Sequence, residues 1–144
     1  MKKRAALRTA DYGRLAAFRY ALRSFLHFSE SRTARVGLTG QQYQAMLVVR
    51  SRSDSAPVTI ADLAREMLVR HNSAVGLVDR LVALGLIARA PVPGDRRKVR
   101  LRMTSAGEDV LARLASVHRQ KLRRMSPDIF RVLGELSGAW RRKG

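Results

Sequence analysis

The chain has 144 residues, of which 46% are hydrophobic, and this length and composition suit one domain with a real core. It contains no cysteine, which excludes a disulfide framework and a thiolate redox switch. Its apolar runs are only a few residues long, whereas a membrane-spanning helix needs roughly 18 apolar residues. No apolar run follows the basic residues Met1–Arg4, as a signal peptide would require.

The net charge is +18, from 29 basic and 11 acidic residues. Such an excess predicts a polyanionic partner: DNA, RNA or an anionic membrane surface. The densest basic stretch is residues 91–104, with five basic residues and one acidic one. We expect a cytoplasmic protein that does not bind membranes.

The first eight residues are predicted to form a disordered basic arm. A long helix then begins at Thr9 or Asp11 and runs to about Ser31, because apolar residues recur at helical spacing. They are Leu15, Phe18, Leu22, Phe25 and Leu26. This is more apolar surface than a small domain covers, which favours a dimer interface; the alternative is a helix packed wholly within its own chain.

A second helix is predicted to start after Leu38. Thr39 and Gln42 have the spacing of a capping box, and Leu38 and Tyr43 that of a hydrophobic staple. Tyr43, Met46 and Leu47 should point into the core. The helix should end in the polar run 51–55, after which Pro57-Val58 is a candidate for a short third strand.

Two short helices should follow. Thr59 and Asp62 have capping-box spacing, and the first helix carries its apolar stripe on Ile60, Leu63, Ala64 and Met67. The turn is predicted at residues 68–70. The second helix carries the stripe Ala74, Leu77, Val78 and Leu81 and should end at Gly85.

The face opposite that second stripe is short-chained and polar at its N-terminal end. Asn72, Gly76, Asp79 and Ala83 lie on it, with Ser73, Val75 and Arg80 at its flanks. A helix seated in a major groove needs small side chains, hydrogen-bond donors and methyl groups there. The alternative reading is a solvated face that lacks long charged side chains.

The stretch after the helices predicts a β-hairpin. Leu86–Ala90 forms one strand, and residues 98–103 alternate apolar and basic side chains as the second. The connection 91–97 is rich in turn residues and holds Arg96 and Arg97. A helix-turn-helix followed by a basic hairpin is a winged helix.

Two more helices complete the prediction. Thr104 caps the first, whose apolar face reaches Ser126; Ser126-Pro127-Asp128 then restarts the chain as a separate helix. That last helix would carry Ile129, Val132, Leu133, Leu136 and Trp140. The tail 141–143 is predicted to be a solvated end.

These residues resemble the MarR family of bacterial transcriptional regulators. The resemblance rests on Asp79-Arg80-Leu81, Gly85-Leu86-Ile87 with Arg89, Asp95-Arg96-Arg97, and Leu101-Arg102-Met103-Thr104 with Gly107-Glu108. It implies a mainly α fold with a small β-hairpin wing, one domain over residues 1–144. The winged helix would occupy about residues 38–104, flanked by dimerisation helices at about 10–36 and 105–142.

The resemblance also implies the residues that contact DNA. The residues that match the family's major-groove positions are Arg70, His71, Asn72, Ser73, Val75 and Gly76. Among them, Asn72 could read adenine and Val75 could pack on a thymine methyl. Many relatives carry a longer side chain at Gly76, and here nothing reaches a base. Asp95 matches the acidic residue of the wing that steadies an arginine in the family. Arg97 matches the arginine that enters the minor groove, and Arg96 matches the neighbouring residue that contacts a phosphate.

Other classes fit the sequence less well. Base-stacking RNA modules need aromatic residues on a sheet, and neither predicted wing strand has one. His27, His71 and His118 fall on three separate elements, so no metal site is predicted. Asp62 and Glu66 have i, i+4 spacing beside Arg65, which is more typical of a solvated helix face than of an acid–base pair. We therefore predict no enzyme and no cofactor.

The sequence thus predicts a homodimeric, sequence-specific regulator that binds a pseudopalindromic operator in double-stranded DNA, more as a repressor than an activator. By resemblance, a small aromatic or phenolic effector would release it. The alternative is a nonspecific basic protein that packages nucleic acid or binds RNA.

Overall fold

The computed structural model describes residues 6–54 and 56–138. Five helices and one two-stranded hairpin follow one another in that part of the chain, which confirms the predicted mainly α fold with a wing. The order is α1 (Thr9–Ala34), α2 (Gly40–Arg52), α3 (Ile60–Met67), α4 (His71–Ala83), β1 (Ile87–Val92), β2 (Asp95–Met103) and α5 (Ser105–Ser137).

The first helix starts where the sequence predicts and ends three residues beyond the predicted Ser31. The predicted disordered arm 1–8 is wrong at Arg8, whose backbone N–H donates to Asp11 Oδ2 at 2.9 Å. This bond lowers the pKa of Asp11. Residues 1–5 lie outside the described part of the chain.

Both predicted capping boxes form. Gln42 N–H donates to Thr39 Oγ1 at 3.1 Å, and Thr39 N–H donates to Gln42 Oε1 at 2.9 Å. At α3, Asp62 N–H donates to Thr59 Oγ1 (3.2 Å), and Thr59 N–H donates to Asp62 Oδ2 (3.0 Å). These local bonds satisfy amides that the first helical turn leaves without partners.

The turn of the helix-turn-helix lies at residues 68–70, as predicted. Leu68 ends α3 in the left-handed region (φ 56°, ψ 39°), and Val69 N–H donates to Ala64 O at 3.0 Å. The apolar face of α4 then enters the core, with Ala74, Leu77, Val78 and Leu81 all buried. Gly85, at φ 72°, ends the segment.

The hairpin is longer, and its turn shorter, than predicted. The strands extend to Val92 and back to Asp95, so Pro93-Gly94 alone form the turn, with Gly94 at φ 82°. The predicted seven-residue connection is wrong because β1 continues through Pro91. Val58 adds one isolated antiparallel bridge to Leu101 instead of the suggested third strand.

The core lies under the helix-turn-helix and the hairpin. Its fully buried side chains include Met46 on α2, Leu63 on α3, Leu81 on α4 and Ile87 on β1. Leu111 and Leu114 from the start of α5 close the cluster. Of the residues predicted for α2, Tyr43 and Met46 are buried, while Leu47 packs against the cluster and is half-buried.

The helix after the wing does not break at Ser126, so the predicted separate last helix is wrong. Helix α5 continues through Pro127 to Ser137. Proline cannot donate to the carbonyl four residues back, which is Arg123 O. Ser126 Oγ donates to that oxygen at 3.1 Å and replaces the missing bond. Trp140 and the tail 141–143 lie outside the described residues.

The described chain divides into two compact units. The winged unit is Glu30–Ser116. The helical unit combines the residues up to Ser29 with those from Val117 onward, and it buries one histidine. His118 Nε2 lies 2.8 Å from Ser29 Oγ, and the rings of Phe25 and Phe28 meet the imidazole edge-on.

Replacing Gly107 by alanine should destabilise the winged unit. A Cβ there would lie 2.0 Å from the backbone oxygen of Leu86, which cannot rotate away. Such overpacking costs about 1 to 3 kcal/mol, measurable by urea denaturation. Gly76→Ala is the matched control, because its Cβ would have nothing within 4 Å and alanine is the better helix former. Equal stability of the two variants would contradict this packing.

The capping carboxylate of α3 should make stability depend on pH. Asp62 accepts from the Thr59 backbone N–H and hydroxyl, and the backbone bond above all holds the pKa of Asp62 below its ordinary value. The stabilisation is therefore complete above the unfolded pKa, about 3.9, and is lost as pH falls through the folded pKa. Asp62→Asn should cost about 0.3 to 1 kcal/mol at pH 7, because asparagine keeps an acceptor oxygen but loses the negative charge at the helix N-terminus.

The cost of Asp62→Asn should shrink in urea titrations repeated below pH 4. Asp54→Asn serves as the control, because that side chain is 90% exposed in the ion pair with Arg50 and should contribute little at either pH. A cost for Asp62→Asn that stays the same at both pH values would show that charge plays no part in this cap.

Candidate nucleic-acid interface

The outward side of α4 presents most of the residues predicted to read DNA. Arg70, His71, Asn72 and Ser73 are exposed, while Val75 and Gly76 are half-buried. The buried stripe on the opposite side fixes this presentation, because a rotation of the helix would expose its apolar residues. Four of the six predicted positions are thus fully available to a ligand.

The N-terminus of α4 differs from those of α2 and α3. Arg70 occupies the N-cap position and makes no side-chain capping bond, whereas Thr39 and Thr59 cap the other two helices. The first amides of α4 therefore point outward without a side-chain acceptor at the cap. Free amides and the helix dipole favour an anionic group such as a phosphate at this end.

The wing displays its basic residues on an irregular stretch of β2. Pairing is regular from Ile87–Met103 to Pro91–Val99, and the register then shifts so that Val92 faces Asp95. Residues 96–98 therefore have no regular partners on β1, and Arg96, Arg97 and Lys98 are all exposed. Among residues 6–54 and 56–138, no ion pair includes any of these three side chains.

Asp95 acts on the backbone of the wing. Its Oδ1 accepts a hydrogen bond from the backbone N–H of Arg97 at 3.0 Å. The family resemblance implied that Asp95 steadies an arginine, and here the carboxylate holds the chain at Arg97. The guanidinium of Arg97 stays available to a ligand.

One cleft brings the helix and the wing together. It has a volume of about 760 Å³, and His71 from α4 and Arg97 and Lys98 from β2 contribute to its walls. Thr59, Ile60 and Asp62 at the start of α3 line it as well. Two predicted contact residues that are 26 positions apart in sequence thus share one surface.

An ion pair that the sequence did not predict connects α4 to the hairpin. Arg89 on β1 donates to Asp79 Oδ1 on α4 at 2.5 Å. Both residues belong to the motifs that carry the family resemblance. The sequence did show an acidic residue on the exposed side of a helix and a basic residue on the strand that follows. Their contact, however, depends on how the chain turns at Gly85.

Other ion pairs support the frame of the winged unit. Arg50 on α2 lies 2.9 Å from Glu108 on α5, and the charge of that carboxylate raises the pKa of Arg50. Arg52 lies 2.8 Å from Glu66 on α3. Thr104 Oγ1 donates to Gly85 O at 2.6 Å and accepts from Gly107 N–H at 3.0 Å, so one hydroxyl links the end of the α4 segment to the start of α5.

The described residues contain no group of three histidine, cysteine, aspartate or glutamate side chains that could hold a metal ion. Across the same residues, no helix combines the length and the apolar character needed to cross a membrane.

Residues 36–98 match the sequence model of the MarR family. Among individual proteins, the chain is 34% identical over 83 residues to the HTH-type transcriptional repressor NicR of Pseudomonas putida. This match covers 58% of the chain and 51% of NicR, so the chain spans about half the length of this relative.

Solved structures extend the likeness in fold to almost the whole chain. AbsC, a MarR family transcriptional regulator from Streptomyces coelicolor, superposes with a TM-score of 0.74 at 22% identity and covers 94% of the chain and 93% of AbsC. A MepR mutant of Staphylococcus aureus, bound to an oligodeoxyribonucleotide, superposes with a TM-score of 0.66 at 16% identity. This superposition covers 87% of the chain and 97% of the MepR mutant. Residues 36–98 thus match the MarR family in sequence, and the chain shares the winged fold of solved MarR family structures.

Proposed function

We propose that the protein is a homodimeric regulator of transcription that binds a pseudopalindromic operator in double-stranded DNA. The observation that carries the proposal is the shared surface of α4 and the wing, where His71, Arg97 and Lys98 line one cleft. A basic surface formed by a helix and a hairpin fits a duplex, because the helix fills the major groove while the hairpin reaches the adjacent minor groove.

The exposed start of α4 supports direct reading of bases. Asn72 can bond bidentately to adenine, and Val75 can contact a thymine methyl. Gly76 adds no side chain, so it would let the helix backbone approach the bases closely. Arg70 and the free amides of the first turn would bind phosphates and hold the helix in register.

The wing supports reading of the minor groove. Arg97 is exposed beside Arg96 and Lys98, and Asp95 fixes its backbone. A narrow minor groove concentrates negative potential, so an arginine on a firmly held strand is stabilised there. Arg96 and Lys98 would then contact the flanking phosphates.

Exposed apolar side chains of the helical unit support a homodimer. Tyr20 and Phe130 are 74% and 71% exposed, and Leu15, Leu22, Leu26 and Leu133 are exposed as well. Helices α1 and α5 also enclose a groove of about 560 Å³ lined by Tyr20, Met125 and Ile129. A second copy would bury these residues, and a two-fold dimer would present two α4 helices to half-sites one helical turn apart.

The repressor role is supported by NicR, which is by name a transcriptional repressor. A small aromatic or phenolic effector that releases the operator is proposed from the family resemblance alone.

The competing function is nonspecific binding of nucleic acid, which the net charge of +18 favours. Selection of an operator from a random duplex library, followed by competition with scrambled duplex and RNA, separates the two. A regulator should prefer its operator by at least about a thousandfold at physiological salt.

Arg97→Ala should weaken operator binding by about 1 to 3 kcal/mol while unfolding as the wild type does, because an exposed arginine contributes little to stability. Fluorescence anisotropy at two salt concentrations measures the loss. Arg113→Ala is the matched control: it removes the same charge from an exposed side chain on α5, outside α4 and the wing. If Arg97→Ala and Arg113→Ala weaken operator binding to the same extent, the wing arginine contributes only its charge.

Light scattering at micromolar concentration should give twice the chain mass of 16.1 kDa. Leu22→Glu should shift this value toward the monomer, because a carboxylate would be buried at the proposed interface on α1. Leu84→Glu is the control, since Leu84 is similarly exposed (52% against 47%) but lies at the end of α4. A wild-type monomer would contradict the proposed dimer.

A further inference from the structure

Leu68 adopts a backbone conformation that its side chain opposes. It occupies the left-handed region, where the Cβ of an L-residue crowds the following carbonyl oxygen. The helix cap requires this conformation, because the N–H groups of Leu68 and Val69 bond back to carbonyls of α3. Glycine would make the same bonds without the steric cost.

The side chain of Leu68 gains nothing from the fold in return. It is 92% exposed, the highest value among the large hydrophobic residues of the described chain. An exposed leucine on its own is unremarkable in a folded protein. An exposed leucine at a position that favours glycine carries two unfavourable features at once, and neither helps the winged unit to fold.

The position of Leu68 suggests what it contacts. It lies at the turn, two residues before Arg70, where the chain enters α4. All of residues 60–83 are described, and Leu68 is the one exposed large hydrophobic among them. Its exposed neighbours in sequence, Arg65, Glu66, Arg70 and His71, are charged or polar, and Met67 and Val69 beside it are half-buried, so no other exposed apolar residue of this segment extends it into a patch. A protein partner usually needs such a patch.

We propose that Leu68 is a specificity contact that packs on the C5-methyl group of a thymine at the edge of each half-site. The proposal rests on the DNA-binding function proposed above. In the major groove, the thymine methyl is an apolar group on an otherwise polar and anionic surface, and apolar side chains recognise it. A single exposed leucine in a segment that otherwise exposes charged and polar residues has the matching chemistry.

The test uses Leu68→Gly and Leu68→Asn, two replacements that accept the left-handed backbone and remove the apolar contact. Leu84→Ala is the control, since it truncates another exposed leucine at the opposite end of α4. Each variant is unfolded in urea and titrated with the selected operator, with its scrambled form, and with operators in which single thymines are replaced by deoxyuridine.

Leu68→Gly should unfold at no lower urea concentration than the wild type and should bind the operator about three- to tenfold more weakly, with little change on scrambled duplex. One deoxyuridine position per half-site should weaken the wild type by a similar factor and leave Leu68→Gly unchanged, as a coupled pair requires. Leu84→Ala should bind as the wild type does.

Three results would overturn the assignment while leaving the proposed function intact: wild-type affinity of both Leu68 variants, no thymine coupled to Leu68, or a marked loss of stability in Leu68→Gly. In each case the wild type still prefers its operator to the scrambled duplex. If the wild type shows no such preference, the proposed function itself fails and the Leu68 contact with it.

Discussion

The burial of one face of α4 is the constraint on which the rest of the winged unit depends. Ala74, Leu77, Val78 and Leu81 enter the core together, and their 3.6-residue periodicity leaves only one side of the helix free. The residues on that side are small or polar, and long charged side chains are absent from its first turn after Arg70. The core thus determines the orientation of the helix, and the orientation determines which residues are available to a duplex.

The sequence predicted those parts of the fold that depend on local interactions. The boxes Thr39–Gln42 and Thr59–Asp62 each satisfy their amides within four residues, so spacing alone identifies them. The stripe of α4 and the end of its segment at Gly85 follow from periodicity and from the conformational freedom of glycine. Periodicity likewise placed Asn72 and Ser73 away from the buried stripe, whereas Arg70 and His71 were expected as contacts only from the family resemblance.

The errors lie where distant residues or one compensating bond decide the outcome. Ser126-Pro127-Asp128 has the composition of a helix start, yet the Ser126 hydroxyl satisfies the carbonyl that proline leaves free, and α5 continues. Pro91 suggested a loop, but the pairing of β1 with β2 carries the strand past it. The Asp79–Arg89 contact needed the turn between α4 and β1 to be known. The role of Leu68 could not be predicted, because nothing in the sequence reveals its left-handed backbone.

The Asp79–Arg89 pair has a further consequence in terms of effective concentration. It joins α4 to β1 in addition to the short turn and the shared core, so in the proposed complex the wing is already held close to the neighbouring phosphates once the helix has entered a groove, and its contact is an intramolecular step. Both side chains are partly open to solvent, Asp79 by 59% and Arg89 by 36%, so the pair is itself screened by salt. Added salt therefore acts twice: it weakens each contact with phosphate, and it weakens the pair that helps to hold the wing against α4.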